Sequence, residues 1–168
     1  MGISMSAVMT TDDQIRDFRQ NPSRLEDLLN RTIPFESKDV CYLADFWDAL
    51  HYVLTEGADG SELPLCVLKR GDVKYSEGLS DPAHAIYSAT VRALAGELRG
   101  LSESTLRERC DPRKMFEARV YPRRLWVSPD LADDTFRELM SYFRALRDFA
   151  TEAARENRGL VFCRYEDW

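Results

Sequence analysis

Leu160-Val161-Phe162-Cys163-Arg164-Tyr165 closes a chain of 168 residues with an apolar run too short for an ordinary helix, and it reads as a buried final strand. Immediately upstream, Phe136, Leu139, Met140, Phe143, Leu146, Phe149, Ala150 and Ala153 recur at helical spacing, which predicts one long helix over about 133–157 with Gly159 at its exit. At the other terminus Ile3, Met5, Ala7 and Met9 alternate with small or polar residues, the pattern of a half-buried first strand. Strands at both ends with mostly helices between them do not give the regular strand–helix alternation of a doubly wound sheet. No Gly-x-Gly-x-x-Gly follows a strand either. The expected fold is therefore α+β: a single compact domain over residues 1–168, helix-rich, with a small mixed or antiparallel sheet that includes the N- and C-terminal strands.

The interior is punctuated by capping chemistry. Thr10, Thr11 and Asp12 precede a helix carrying Ile15 and Phe18, and Asn21-Pro22 ends it and opens a second helix with Leu25, Leu28 and Leu29. A linker containing Ile33-Pro34 leads to Asp39, an expected cap for the helix that holds Phe46-Trp47-Asp48-Ala49-Leu50-His51-Tyr52-Val53-Leu54-Thr55. On that helix Leu43, Phe46, Leu50, Val53 and Leu54 share the core face. A turn over 56–60 follows. Residues 63–75 read as a strand from the alternation of Leu63, Leu65 and Val67, with a short helix over 65–69 as the alternative and a break at Gly71-Asp72. Residues 83–87 read as a short strand, Ser88 as the cap of a helix faced by Val91, Leu94, Ala95 and Leu98, and Gly100 as its end. Ser102 and Asp111-Pro112 open two more helices, and Val120-Tyr121-Pro122 forms a loop.

Composition narrows the function. Apolar residues make up 44% and charged residues 31%, a globular balance. Four cysteines, at 41, 66, 110 and 163, contain no Cys-x-x-Cys pair and have no histidine nearby, so they are read as reduced, mostly buried thiols. With only two histidines, no metal site and no cofactor are expected. There is no apolar run of about 20 residues and no signal-peptide layout, which points to a cytoplasmic protein without membrane attachment. The formal charge is −6. Residues 107–124 hold seven basic residues against three acidic ones, a local +4 that leaves −10 on the remainder. Whole-molecule attraction to nucleic acid is not expected from that balance.

One cluster has the composition of a reactive site. Helical spacing places His51 four residues after Trp47, three after Asp48 and four before Thr55, so Asp48 would hold His51 in one tautomer as a general base and Trp47 would supply an apolar wall. No nucleophile is identifiable by spacing. The competing reading makes Trp47 a plug at the core rim and the polar pair a surface hydrogen bond. Arg119, Arg123 and Arg124 flank Tyr121 and precede Trp126, an arrangement that can clamp an anion or stack on a base, or simply balance the acidic remainder.

These motifs resemble a bacterial family, the YfbM-like family, domain of unknown function eighteen-seventy-seven. The resemblance rests on Trp47-Asp48-x-Leu50-His51-Tyr52-x-Leu54-Thr55, on Leu63-Pro64-Leu65-x-Val67-Leu68, and on Leu106-Arg107 through Met115 to Val120-Tyr121-Pro122. Met1-Gly2-Ile3 at the start and the closing helix and strand fit it as well. It implies a compact α+β domain without an established activity, and it carries over no catalytic set. It also implies that Trp47, His51 and Tyr121-Pro122 are the natural place to look for a site. Arg123-Arg124 departs from the small or turn residue that commonly follows the Tyr-Pro. The leading functional expectation is a non-catalytic protein-interaction module, immunity-like or regulatory, that binds a partner protein through an acidic surface. A small hydrolase or transferase using Asp48 and His51 is the alternative, and nucleic-acid contact through 107–124 a weaker one.

Overall fold

The two terminal segments pair with each other. In the computed structural model, which describes residues 2–33, 37–58, 62–75, 79, 82–128, 130 and 132–167, strand β1 (Gly2–Thr10) runs antiparallel to β5 (Gly159–Asp167) over its whole length, with Gly2 opposite Asp167 and Thr10 opposite Gly159. Around that pair the sheet is completed by β2 (Val40–Ala44), β3 (Val73–Tyr75) and β4 (Ala83–Ile86) in the order β2-β1-β5-β4-β3, every neighbouring pair antiparallel. The chain is a single α+β domain. Met1, Pro34 of the expected linker, and Asp59 and Gly60 of the expected turn lie outside the described residues.

Strand β1 is central, and it corrects the half-buried reading: every residue from Ser4 to Thr10 is buried. Met5, Ala7 and Met9 join Leu160 and Phe162 in the larger core cluster, while Val8 joins Val161 and Cys163 in the smaller one. The serines that looked solvent-facing are enclosed with polar partners; the Ser6 hydroxyl lies 2.9 Å from that of Tyr165. A buried hydroxyl is tolerated when it is so satisfied.

The sheet is the middle of three layers. Helices α1 (Asp12–Gln20) and α2 (Pro22–Thr32) cover one face through Ile15, Phe18, Leu25 and Leu29. The other face carries α3 (Trp47–Thr55), α4 (Ser88–Gly100), α5 (Glu103–Arg109), α6 (Pro112–Glu117), a 3-10 turn (Arg123–Trp126) and the long α7 (Ala132–Arg155). Thr11 and Gln14 form a capping box on α1, Ser102 caps α5, and Asp111 caps α6, as the sequence predicts. Among the described residues no helix is long and apolar enough to cross a membrane.

Four local readings change. Residues 63–69 form successive turns, with the Arg70 amide donating to Cys66 O at 3.0 Å, and strand geometry is confined to β3. Cys66, Val67 and Leu68 are buried consecutively, which a two-residue alternation does not allow. Asp39 caps no helix. Its carbonyl accepts from the Met9 amide at 2.9 Å and the chain continues into β2, so Leu43 reaches the core from a strand, while α3 starts at Trp47 without a side-chain cap. Ser88 does not cap α4 but is itself bound: its amide and hydroxyl both donate to the Asp12 carboxylate at 2.7 Å. Finally, Asn157 (φ 54°) takes the left-handed position after α7, and Gly159 already belongs to β5.

Candidate functional site

Strand β2 ends at Ala44, opposite Met5, where a left-handed residue (φ 47°) turns the chain towards α3. Ile3, further along β1, therefore has no β2 partner. Two side chains stand in for the missing strand. The Trp47 indole Nε1 donates to Ile3 O at 2.9 Å, and the Ile3 amide donates to the Tyr121 hydroxyl oxygen at 2.7 Å. The chemistry matches the need, since an indole N–H can only donate while a phenol oxygen can accept. The two rings lie 6.2 Å apart between centres with their planes 31° apart. Arg164, which is opposite Met5 on β5, places its guanidinium carbon 5.4 Å from the centre of the Trp47 ring.

Asp48, the next residue on α3, anchors the same assembly. Its Oδ2 accepts from the Tyr121 amide at 2.8 Å, and its Oδ1 lies 2.6 Å from Lys69 Nζ. The carboxylate is only 13% exposed. The loop it holds is fixed further by the Val120 amide donating to Met115 O at 3.0 Å and by Trp126 Nε1 donating to Val120 O at 3.1 Å. Thr55, also expected to join the polar line along α3, donates its hydroxyl back to His51 O at 2.8 Å. His51 itself is half-buried. The structure thus brings Trp47, Asp48 and Tyr121 together, with Asp48 committed to a loop amide and a lysine.

The arginines of the basic segment go elsewhere. Arg123 stacks its guanidinium 4.1 Å from the Phe116 ring centre, Arg124 pairs with Asp45 at 3.0 Å, and Arg119, in a left-handed conformation (φ 58°), is exposed. Arg109 turns inward and donates to Val53 O at 3.1 Å and Leu54 O at 3.4 Å. A cation at the carbonyl end of α3 complements the helix dipole. Arg107 pairs with Asp133, Arg113 with Glu117 and Lys114 with Asp111.

Sequence reasoning missed Ile3, Lys69 and Arg164 as members of the central cluster. They come from β1, the 63–69 turns and β5, and no local spacing connects them. His84 sits on β4 with Nε2 2.5 Å from Val67 O and its ring stacked on Phe162. Burial is the main influence holding its pKa below the ordinary 6.5. The hydrogen bond to Val67 pulls the other way, and the Arg164 charge adds to the lowering. Burial also pushes the Cys41 thiol up to about 12 and the Cys110 thiol to about 11. Among the described residues no three His, Cys, Asp or Glu side chains gather as metal ligands would.

A family described as a domain of unknown function, DUF1877, matches residues 1–163. The chain belongs to the DUF1877 family. Among solved structures it is similar to a protein of unknown function, YfbM from Escherichia coli, with a TM-score of 0.76 and 16% sequence identity, covering 96% of this chain and 99% of that one. At that identity the likeness concerns the fold. A search of curated proteins found no match.

In this DUF1877 chain a second surface feature lies beyond the C-terminal end of α3. A groove of about 380 Å³ is lined by Leu54, Leu63, Pro64 and Leu65 and by the carboxylate side chains of Glu56, Glu62 and Glu97. Arg109 also lines it, its Nε 3.2 Å from Glu56 Oε1. Among the described residues neither Glu62 nor Glu97 forms an ion pair.

Proposed function

We propose that the protein is a non-catalytic, cytoplasmic interaction module of an immunity-like or regulatory kind, which binds a partner protein through its acidic surface. The observation that carries this reading is the disposition of charge. Arg107, Arg109, Arg113, Lys114 and Arg124 are paired with acids of the fold, and Arg123 is stacked on Phe116. Among the described residues Glu62 and Glu97 form no ion pair, in a groove whose arginine, Arg109, is already paired with Glu56. A basic segment of a partner fits such a surface, its methylene stems on Leu63 and Leu65 and its charged heads on the glutamates. The hydrolase or transferase alternative needs Asp48 to orient His51, and Asp48 is occupied by Tyr121 and Lys69. Nucleic-acid contact through 107–124 is weakened by the same internal pairing.

Affinity capture from native lysate, at low and high salt and read by mass spectrometry, tests the proposal with wild type, His51→Ala and a Glu62→Lys/Glu97→Lys variant. The expected result is one protein retained by wild type and by His51→Ala, released by salt and lost on charge reversal. Absence of a specific partner across growth conditions would count against the proposal. So would retention indifferent to the charge reversal, or a turnover activity that His51→Ala abolishes.

A further inference from the structure

The groove beyond the C-terminal end of α3 carries more negative charge than its own cation balances. Glu56, Glu62 and Glu97 line it against a single arginine. That arginine is engaged: Arg109 Nη1 donates to Val53 O and Leu54 O, and its Nε lies 3.2 Å from Glu56 Oε1. Glu62 and Glu97 are exposed and, among the described residues, form no ion pair. Arg70, which pulls the Cys66 thiol in the opposite direction from Glu62, does not line the groove, and counting it still leaves three acids against two bases.

The three acids do not converge on one point, since among the described residues no three His, Cys, Asp or Glu side chains gather as metal ligands would. The rest of the lining is largely apolar, and its Leu63 and Leu65 are half-buried. A small, strongly hydrated metal ion gains nothing from such a lining. Cations set apart along a hydrocarbon chain gain from both parts of it, their methylenes from the leucines and their ammonium groups from the carboxylates. At about 380 Å³ the groove also has the size of a small-molecule site, commonly about 300–1,000 Å³. We propose that it binds a free linear aliphatic polyamine, with ammonium groups on Glu62 and Glu97 and methylenes on Leu63 and Leu65. The site shares its surface with the proposed protein contact but does not depend on that contact. Polyamine and a partner's basic segment exclude each other there.

Spermidine titrated into the full chain at constant ionic strength, followed by calorimetry and by 1H–13C spectroscopy of the leucine methyls, tests the site. The expected result is saturable binding that shifts the Leu63 and Leu65 methyl signals. Affinity should fall about tenfold in Glu62→Gln/Glu97→Gln, whose two positions are exposed and unpaired, so that the fold is kept. Mg2+ at the same ionic strength should leave the methyl signals in place. Absence of saturable binding would overturn the proposal, as would displacement of spermidine by an equal concentration of Mg2+ or undiminished affinity in the double variant. Trilysine peptide binding where spermidine does not would overturn the assignment to a free polyamine and leave the protein contact standing. Spermidine binding by a chain that captures no protein from lysate would support the polyamine site and count against the protein contact alone.

Discussion

Trp47 and Tyr121 act on the two peptide groups of one residue, Ile3, so each side chain closes a hydrogen bond that a strand would otherwise supply. Trp47→Phe removes a donor from a nearly buried position together with some ring volume, and should cost about 1–3 kcal/mol in urea unfolding. Tyr121→Phe removes only an acceptor at a more exposed amide and should cost about 0.5–1.5 kcal/mol. The sequence marks Trp47, Asp48 and Tyr121 as unusual, through helical spacing and the family resemblance, but not their task. That task depends on where β2 stops, and nothing around Ala44 announces a left-handed turn. His84 adds a prediction with a definite sign. Its folded pKa lies below 6.5, so the unfolded chain takes up the proton first as pH falls, and stability is full above that value and declines below it. The urea midpoint should drop between about pH 7.5 and 5.5 in wild type, and His84→Gln should lack that part of the slope.

Elements meet in this protein through contacts that local sequence does not encode. Gly159 opens β5 where α1 and β4 converge: a Cβ there would stand 2.5 Å from Ile15 Cδ1 and 2.8 Å from Ile86 O. The isoleucine methyl can give way but the backbone oxygen cannot, so Gly159→Ala should destabilise the chain by about 1–3 kcal/mol in thermal or urea unfolding. A glycine after a long amphipathic helix has the composition of a helix exit, and only the fold brings Ile86 O against it. Likewise the start of α4 is capped by Asp12 from α1 rather than by Ser88. Local capping rules predicted α1, α5 and α6 because their partners are three residues away or fewer, and failed where the partner is 76 residues away. Strand β1 was misassigned a solvent face for a related reason: small serines look polar in a sequence, and only the fold shows Tyr165 against Ser6.

At the scale of the molecule, the antiparallel sheet between two helical layers puts the N- and C-terminal strands at its middle, and the sequence supports that much directly because both strands are recognisable at their own ends of the chain. The charge asymmetry was equally visible. What it hid was its use, since the basic segment is spent largely on the fold's own acids and an aromatic ring. Asp48 serves the architecture by holding the Tyr121 amide and Lys69. If that is its role, the Tyr121 amide is protected by the carboxylate and becomes exposed without it. Amide hydrogen exchange of Tyr121 in wild type and Asp48→Ala measures this directly. The predicted result is slow exchange in wild type that accelerates at least about tenfold in the variant, as loss of a charge-assisted hydrogen bond requires. Exchange at an open-loop rate in wild type, or an unchanged rate in Asp48→Ala, would contradict it and return Asp48 to His51.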